Sequence, residues 1–151
     1  MTRTETTEKS ILVIEDEDNI AIALDFLIGR EGYRRERLST GAGAVARIRE
    51  MRPDLVLLDV MLPEVSGYEI CQQVRMDPEL AHIRILMMTA RGSAMERRKG
   101  LALGADGFIS KPFELKELRA EVKRLLTPDS EEGAEAGAGQ GDTAPTSGGT
   151  G

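Results

Sequence analysis

Residues 54–59 read DLVLLD, four apolar residues enclosed by two aspartates. Residues 11–14 read ILVI and are followed at once by acids, and residues 83–88, IRILMM, form a third run. Apolar runs without polar alternation are typical of strands covered on both faces, as in a parallel sheet. Residues 33–38 and 106–109 are weaker strand candidates.

Amphipathic stretches with the period of an α-helix separate these runs. Apolar residues recur at i, i+4, i+7 and i+8 from Ile20, and similar patterns surround Val45 and Ile70. A fourth helix is expected at 95–103, and the clearest pattern lies at 115–126. Strand and helix thus alternate five times, which predicts an α/β doubly wound domain with a parallel sheet.

The composition divides the chain into a folded unit and polar ends. Apolar residues make up 40% and charged residues 30% of the 151. Residues 127–151 contain no Val, Ile, Leu, Met or aromatic residue, so they cannot bury enough apolar surface to offset the entropy of ordering them. We expect a disordered N-terminus at 1–9, a folded domain at 10–126 and a disordered tail or linker at 127–151.

The net charge of −6 is concentrated in that tail. It carries five acids and no base, so residues 1–126 hold all 20 bases against 21 of the 26 acids. A nearly neutral body gives no electrostatic reason to expect direct contact with nucleic acid or membrane. Neither a signal peptide nor an apolar run of about 18 residues is present, and we expect a cytoplasmic protein.

Five polar residues end or follow the predicted strands: Glu15, Asp16, Asp59, Thr89 and Lys111. Because the carboxyl ends of parallel strands share one edge, we expect these side chains to meet where α/β sheets bind ligands. Carboxylates are hard oxygen ligands for Mg²⁺, and a free carboxylate is a nucleophile that can form an aspartyl phosphate. A lysine and a hydroxyl can stabilise the phosphoryl oxygens. The pattern predicts a Mg²⁺-dependent phosphoryl-transfer site.

Short motifs occur in order at these strand ends. They are IEDE at 14–17, LDVMLP at 58–63 with Gly67, MTA at 88–90, GAD at 104–106 and KPF at 111–113. With them the chain resembles, over residues 10–126, the receiver domains of two-component response regulators, the CheY-like superfamily. The resemblance implies a flavodoxin-like (βα)5 fold with strand order 2-1-3-4-5. It also implies a signalling switch that catalyses its own phosphorylation and dephosphorylation, not an enzyme.

The same resemblance implies roles for the site residues. Asp59 matches the phosphoacceptor and Lys111 the lysine that pairs with the phosphoryl group. Asp16 matches the direct Mg²⁺ ligand, and Glu15, which stands where Asp is commoner, matches an assisting ligand. Met61 matches the position whose backbone carbonyl completes the metal site.

A switch is implied at two further positions. Thr89 matches the switch hydroxyl and Phe108 the switch aromatic, which here lacks the hydroxyl of tyrosine. The resemblance also implies a cis peptide bond between Lys111 and Pro112. Phosphorylation would reshape the face formed by the fourth helix, fifth strand and fifth helix.

Each of these site residues could also have a purely structural role with no part in the chemistry. An acidic stretch such as residues 15–18 is often a solvated helix start. Thr89 alone could be a helix N-cap, Lys111 a surface lysine and Phe108 a core aromatic.

A different functional class is a phosphatase or phosphotransferase of the haloacid-dehalogenase type, which also uses an aspartate nucleophile and Mg²⁺. That class needs a second aspartate two residues after the nucleophile, and here the residue is Met61. A receiver is therefore the preferred interpretation.

The partners follow from that interpretation. They are a sensor histidine kinase or histidine phosphotransfer protein as donor, and a downstream protein that the sequence does not identify. A homodimer through the face formed by the fourth helix, fifth strand and fifth helix is compatible with the resemblance. The chain is either a single-domain regulator or the receiver of a longer protein.

Overall fold

A single parallel sheet forms the centre of the computed structural model, which describes residues 9–90 and 94–127. Its strands are β1 (Ser10–Ile14), β2 (Arg34–Leu38), β3 (Leu55–Asp59), β4 (Arg84–Thr89) and β5 (Gly107–Ser110), in the order β2-β1-β3-β4-β5. The helices are α1 (Asp18–Arg30), α2 (Ala44–Met51), α3 (Gly67–Arg75), α4 (Ala94–Ala102) and α5 (Leu115–Leu126), with a short 3-10 turn at Pro78–Leu80. The predicted fold class and strand order are confirmed.

Helices cover both faces of the sheet, which explains the uninterrupted apolar runs. Successive strand residues point to opposite faces. Ile11 and Val13 pack in the core beneath α1 and α5, whereas Leu12 and Ile14 pack in the core beneath α2 and α3. A polar residue at any of these positions would be buried, so alternation is absent.

The strand register brings the carboxyl ends of the strands to one edge. Asp59 of β3 lies opposite Met88 of β4, and Thr89 lies opposite Ser110 of β5. On the other side of β1, the Glu15 amide donates to the Leu38 carbonyl at 3.0 Å. Residues far apart in the sequence therefore meet at this edge.

The polar ends of the chain lie largely outside this description. The segments expected to be disordered, 1–9 and 127–151, are outside the described residues except for Lys9 and Thr127. Across 9–90 and 94–127, no helix has both the length and the apolar character that crossing a membrane requires. The cytoplasmic location stays a prediction.

Candidate functional site

The structure brings the predicted polar residues together at the carboxyl edge of the sheet. Glu15 and Asp16 directly follow β1, Asp59 and Thr89 end β3 and β4, and Lys111 directly follows β5. Carboxylate oxygens of Glu15, Asp16 and Asp59 all lie within 4.8 Å of one another. The Lys111 ammonium contacts two of these three carboxylates.

Asp59 is the buried carboxylate at the centre of the group, with 3% of its surface exposed. Its Oδ1 accepts a hydrogen bond from the Met61 amide at 3.2 Å, and its Oδ2 accepts one from Lys111 Nζ at 3.2 Å. Burial, and then the neighbouring Glu15 carboxylate, raise the pKa of Asp59 to about 6, although Lys111 and the Met61 amide act in the opposite direction. The Asp59 side chain is thus buried and held at both of its oxygens.

Lys111 joins two acids that are distant in sequence. Its Nζ lies 2.9 Å from Glu15 Oε1 and 3.2 Å from Asp59 Oδ2. Burial by itself lowers the pKa of Lys111, but the contacts with Glu15 and Asp59 outweigh it, so the pKa lies above its ordinary value. The ammonium is therefore charged at neutral pH.

Glu15 is the buried member of the acidic pair after β1, and Asp16 is the exposed one. Glu15 Oε2 accepts a hydrogen bond from the Glu17 amide at 3.1 Å. Glu15 Oε1 is fully buried and forms an ion pair with Lys111 Nζ at 2.9 Å.

The donor set suits a small divalent cation. One ammonium faces a group of three acids, so the site keeps an excess of negative charge that a further cation would balance. Three carboxylates that converge within 4.8 Å supply hard oxygen ligands, and exposed Asp16 leaves room for the waters that Mg²⁺ retains. The residues present at this edge therefore fit Mg²⁺.

The loop after β3 is tightly constrained behind Asp59. The Gly67 amide donates to the Val60 carbonyl at 3.0 Å. A Cβ atom at Gly67 would meet the Asp59 carbonyl oxygen and lie 2.9 Å from Val60 Cα, so only glycine fits there. Glu64 has a φ of +75°, which is uncommon for a residue other than glycine. The backbone that carries Asp59 thus has little freedom to move.

Thr89 and Phe108 lie on the neighbouring strands. Thr89 is buried, and its carbonyl accepts a hydrogen bond from the Lys111 amide at 2.7 Å. The Phe108 ring is buried beneath α4, with the Arg97 guanidinium 5.5 Å from its centroid. A Cβ at Gly100 of α4 would lie 2.7 Å from the ring, so helix and ring are in close contact. The peptide bond between Lys111 and Pro112 is cis, as the resemblance implies.

Sequence reasoning missed two contacts at the margin of the site. The Arg37 side chain donates two hydrogen bonds to the Glu15 carbonyl. The Tyr68 hydroxyl of α3 donates to Glu96 of α4, while Lys99 Nζ lies 4.4 Å from the centre of the Tyr68 ring. Arg37 belongs to the charged run at residues 34–37 of an edge strand, and such runs are usually exposed to solvent. Nothing in the local sequence therefore distinguishes Arg37 from the other charged residues of that run.

A parallel sheet in the order 2-1-3-4-5, with a lysine and three carboxylates at its carboxyl edge, defines a class of doubly wound α/β proteins that bind a ligand at that edge. The model of the response regulator receiver domain matches residues 11–123, and the chain belongs to this family of two-component signalling proteins. The resemblance derived from the sequence is confirmed.

Relatives with curated descriptions are longer than this chain. It is 44% identical over 116 residues to the phosphate regulon transcriptional regulatory protein PhoB of Rhizobium meliloti (strain 1021). That alignment covers 77% of this chain and 51% of the relative. The chain thus spans about half the length of the curated relatives it matches.

Solved structures share the fold over nearly their whole length. A response regulator from Chloroflexus aurantiacus J-10-fl is 34% identical, with a TM-score of 0.75 over 80% of this chain and 98% of that one. The receiver domain of a sensor histidine kinase from Pseudomonas aeruginosa PAO1 is 26% identical, with a TM-score of 0.72 and the same two coverages. That structure has a magnesium ion coordinated in the active site cleft.

Proposed function

We propose that this chain is a phosphorylatable switch in which Asp59 accepts a phosphoryl group in the presence of Mg²⁺. The donor is a histidine kinase, a histidine phosphotransfer protein or a small phosphodonor. The observation that carries the proposal is the placement of Lys111 Nζ within 3.2 Å of Asp59 and 2.9 Å of Glu15, with Asp16 beside them. A cation and convergent carboxylates are what a transferring phosphoryl group needs around its acceptor.

In the transfer step, a carboxylate oxygen of Asp59 attacks the phosphorus atom. The bond from phosphorus to the donor breaks, and the donor leaves with the electron pair of that bond. Lys111 Nζ, which faces Asp59 Oδ2, stabilises the negative charge on the phosphoryl oxygens. The Met61 amide holds Asp59 Oδ1 and so orients the nucleophile. In dephosphorylation, water attacks the same phosphorus, the bond from phosphorus to the Asp59 oxygen breaks, and the Asp59 carboxylate is restored as inorganic phosphate leaves.

The metal site that we propose consists of Asp16 and Asp59 as carboxylate ligands, the Met61 carbonyl, and Glu15 as an assisting group. Mg²⁺ would neutralise the carboxylates and draw charge from the phosphoryl oxygens. Glu15 already contacts Lys111 and the Glu17 amide, which suits an assisting position.

Phosphoryl transfer to other molecules is disfavoured by the residue at position 61. The dehalogenase-type enzymes need a carboxylic acid there to protonate the leaving group, whereas Met61 has no acidic group and is 69% exposed. The family consists of signalling proteins, and we propose that catalysis here is confined to the phosphorylation and dephosphorylation of Asp59.

A groove beside the site suits a protein phosphodonor. An apolar cavity of about 500 Å³ opens next to Lys111 and extends along α1, lined among others by Ile20 and Phe113. Further along α1, Ile22 and Phe26 are largely exposed. A donor protein that packed apolar side chains here would bring its phosphohistidine to Asp59, and we propose this as its docking edge.

The output that we propose is a change of the face formed by α4, β5 and α5. Thr89 would follow the phosphoryl group, and Phe108 would repack beneath α4. Since PhoB of Rhizobium meliloti is a transcriptional regulatory protein about twice as long, the target is either a further domain of a longer protein or a separate copy or partner. That no nucleic acid contacts residues 10–126 directly stays a prediction.

Labelling tests the proposal. The protein is incubated with Mg²⁺ and acetyl phosphate, and phosphorylation is followed by intact mass and acid-gel electrophoresis. We expect one phosphoryl group on the wild type and none on Asp59→Asn. The control Asp25→Asn, which replaces an exposed carboxylate that pairs with Arg35, should take one phosphoryl group as the wild type does. Stoichiometric label on Asp59→Asn would exclude Asp59 as the sole acceptor.

A further inference from the structure

Arg37 is the fourth residue of the edge strand β2. All three nitrogens of its guanidinium group contact residues 15–18, which we call the acidic loop. Nε and Nη2 donate to the Glu15 carbonyl oxygen at 3.0 and 2.8 Å. Nη1 lies 3.0 Å from Asp18 Oδ1 at the start of α1. One side chain thus spans the loop from the end of β1 to the first residue of the helix.

The carbonyl that Arg37 holds belongs to the peptide unit between Glu15 and Asp16. The atoms of that unit lie in one plane, so fixing its oxygen limits rotation on both sides of the plane. On the other side of Glu15, its amide donates to the Leu38 carbonyl. Residues 37 and 38 of β2 therefore hold Glu15 by both its amide and its carbonyl.

This geometry determines where the two acids point. With its backbone held, Glu15 directs its carboxylate inward to Lys111, and Asp16 directs its carboxylate to the open side of the same group. Charged hydrogen-bond donors on a carbonyl are stronger than neutral ones, and two from one rigid guanidinium also fix direction.

We propose that Arg37 is a positioning residue of the metal and phosphoryl site, acting through the Glu15–Asp16 peptide and touching neither substrate nor metal. The proposal rests on the proposed function of the same site. Groups behind metal ligands commonly change metal affinity about 10- to 100-fold when removed.

The same strand provides a matched control. Arg35 lies two residues earlier, so its side chain leaves β2 on the same face. It is exposed to a similar extent, 40% against 34% for Arg37, and pairs with Asp25 at 2.7 Å without contacting the acidic loop. A general effect of removing an arginine from this strand would appear in both variants.

The test compares Arg37→Ala with Arg35→Ala by Mg²⁺ titration calorimetry at one pH and ionic strength. We expect the dissociation constant to rise about tenfold for Arg37→Ala and to stay near the wild-type value for Arg35→Ala. Asp18→Ala, which leaves the two bonds to the carbonyl intact, should also stay near wild type. Arg37→Lys, which keeps a charged donor, should recover part of the affinity.

A second readout needs no metal. In EDTA, the NMR signal and hydrogen exchange of the Glu17 amide report the bond to Glu15 Oε2. We expect a changed shift and faster exchange in Arg37→Ala only. Should that variant unfold, Arg37→Met keeps the apolar stem without donors and is expected to show the same tenfold loss.

Equal effects in the Arg37 and Arg35 variants, or an unchanged dissociation constant in both Arg37→Ala and Arg37→Met, would overturn the proposal. Failure of the proposed function looks different, since the wild type itself would then bind no Mg²⁺ or take no label at Asp59.

Discussion

Lys111 Nζ lies 3.2 Å from Asp59 Oδ2, although 52 residues separate the two along the chain. The same ammonium lies 2.9 Å from Glu15 Oε1. One half-buried cation therefore faces two buried carboxylates, and the third acid, Asp16, leaves the group with an excess of negative charge. That excess is the physical reason why the site should take up a divalent cation. Burial, and then the Glu15 carboxylate, raise the pKa of Asp59.

Removal of the Asp59 charge should stabilise the metal-free protein at neutral pH. Because the pKa of Asp59 is raised from 3.8 to about 6, the folded state holds this proton more tightly than the unfolded state. Stability therefore falls as pH rises from about 4 to about 6, and above that range the ionised group costs about 1–3 kcal/mol. Asp59→Asn lacks this cost.

The measurement is urea unfolding in EDTA at several pH values. Asp59→Asn should be more stable than wild type by about 1–3 kcal/mol above pH 7 and by less near pH 4.5. The exposed variant Asp25→Asn is the control. A gain that is independent of pH would show that burial of the charge is not its source.

Mg²⁺ affinity should depend more on Asp16 and Asp59 than on Glu15. Glu15 is already held by Lys111 and the Glu17 amide, so a metal ion gains less from it. We expect Glu15→Gln to weaken binding about tenfold and Asp16→Asn and Asp59→Asn to weaken it further. Calorimetric titration gives the order, with Glu17→Gln as a control. If Glu15→Gln is the most damaging, the assignment of direct and assisting ligands is reversed.

Gly67→Ala should impair both stability and phosphorylation. The new methyl group would collide with backbone atoms of Asp59 and Val60, which cannot rotate away. We expect a loss of about 1–3 kcal/mol and slower labelling by acetyl phosphate. At Gly29 the same substitution meets only the mobile end of Arg35, so Gly29→Ala should have little effect. Comparable losses in both variants would argue against a special constraint behind Asp59.

The Thr89 hydroxyl should carry the signal from Asp59 to the face formed by α4, β5 and α5. Thr89→Ala should still bind beryllofluoride at Asp59, while Thr89→Ser, which keeps the hydroxyl, should respond as wild type. The readout is the change in NMR shifts of residues 94–126 on adding beryllofluoride, including the signals of Arg97, whose side chain donates to the Phe108 carbonyl. A full wild-type change in Thr89→Ala would place the coupling on another route.

Tyr68 offers another route for coupling Asp59 to α4, because it lies at the start of α3, after the loop that follows Asp59, and contacts α4. Its hydroxyl donates to Glu96, and its ring lies against Lys99. Tyr68→Phe keeps the ring and removes the hydroxyl bond. We expect Tyr68→Phe to loosen α4, seen as faster amide exchange in residues 95–102, with labelling of Asp59 unchanged. Unaltered exchange would mean that other contacts hold α4.

The fold could be predicted from the sequence because its strands and helices are indicated by patterns within short segments. The runs at 11–14 and 54–59 are apolar at every position since helices cover both faces of the sheet, and the helices show their own period. Parallel strands place their carboxyl ends at one edge, so Asp59, Thr89 and Lys111 were predictable as neighbours from their positions after strands alone.

The direction of each side chain and the contacts made across the sheet depend on the tertiary structure. The sequence does not say that Glu15 points inward and Asp16 outward, or that Arg37 in a charged edge strand reaches the carbonyl between them. These contacts depend on strand register and on side-chain rotamers. They join Glu15 to Arg37, which is 22 positions away in the sequence, and to Lys111, which is 96 positions away. Periodicity records only whether a position is buried, so the identity of the atoms that meet there appears only once the chain is folded.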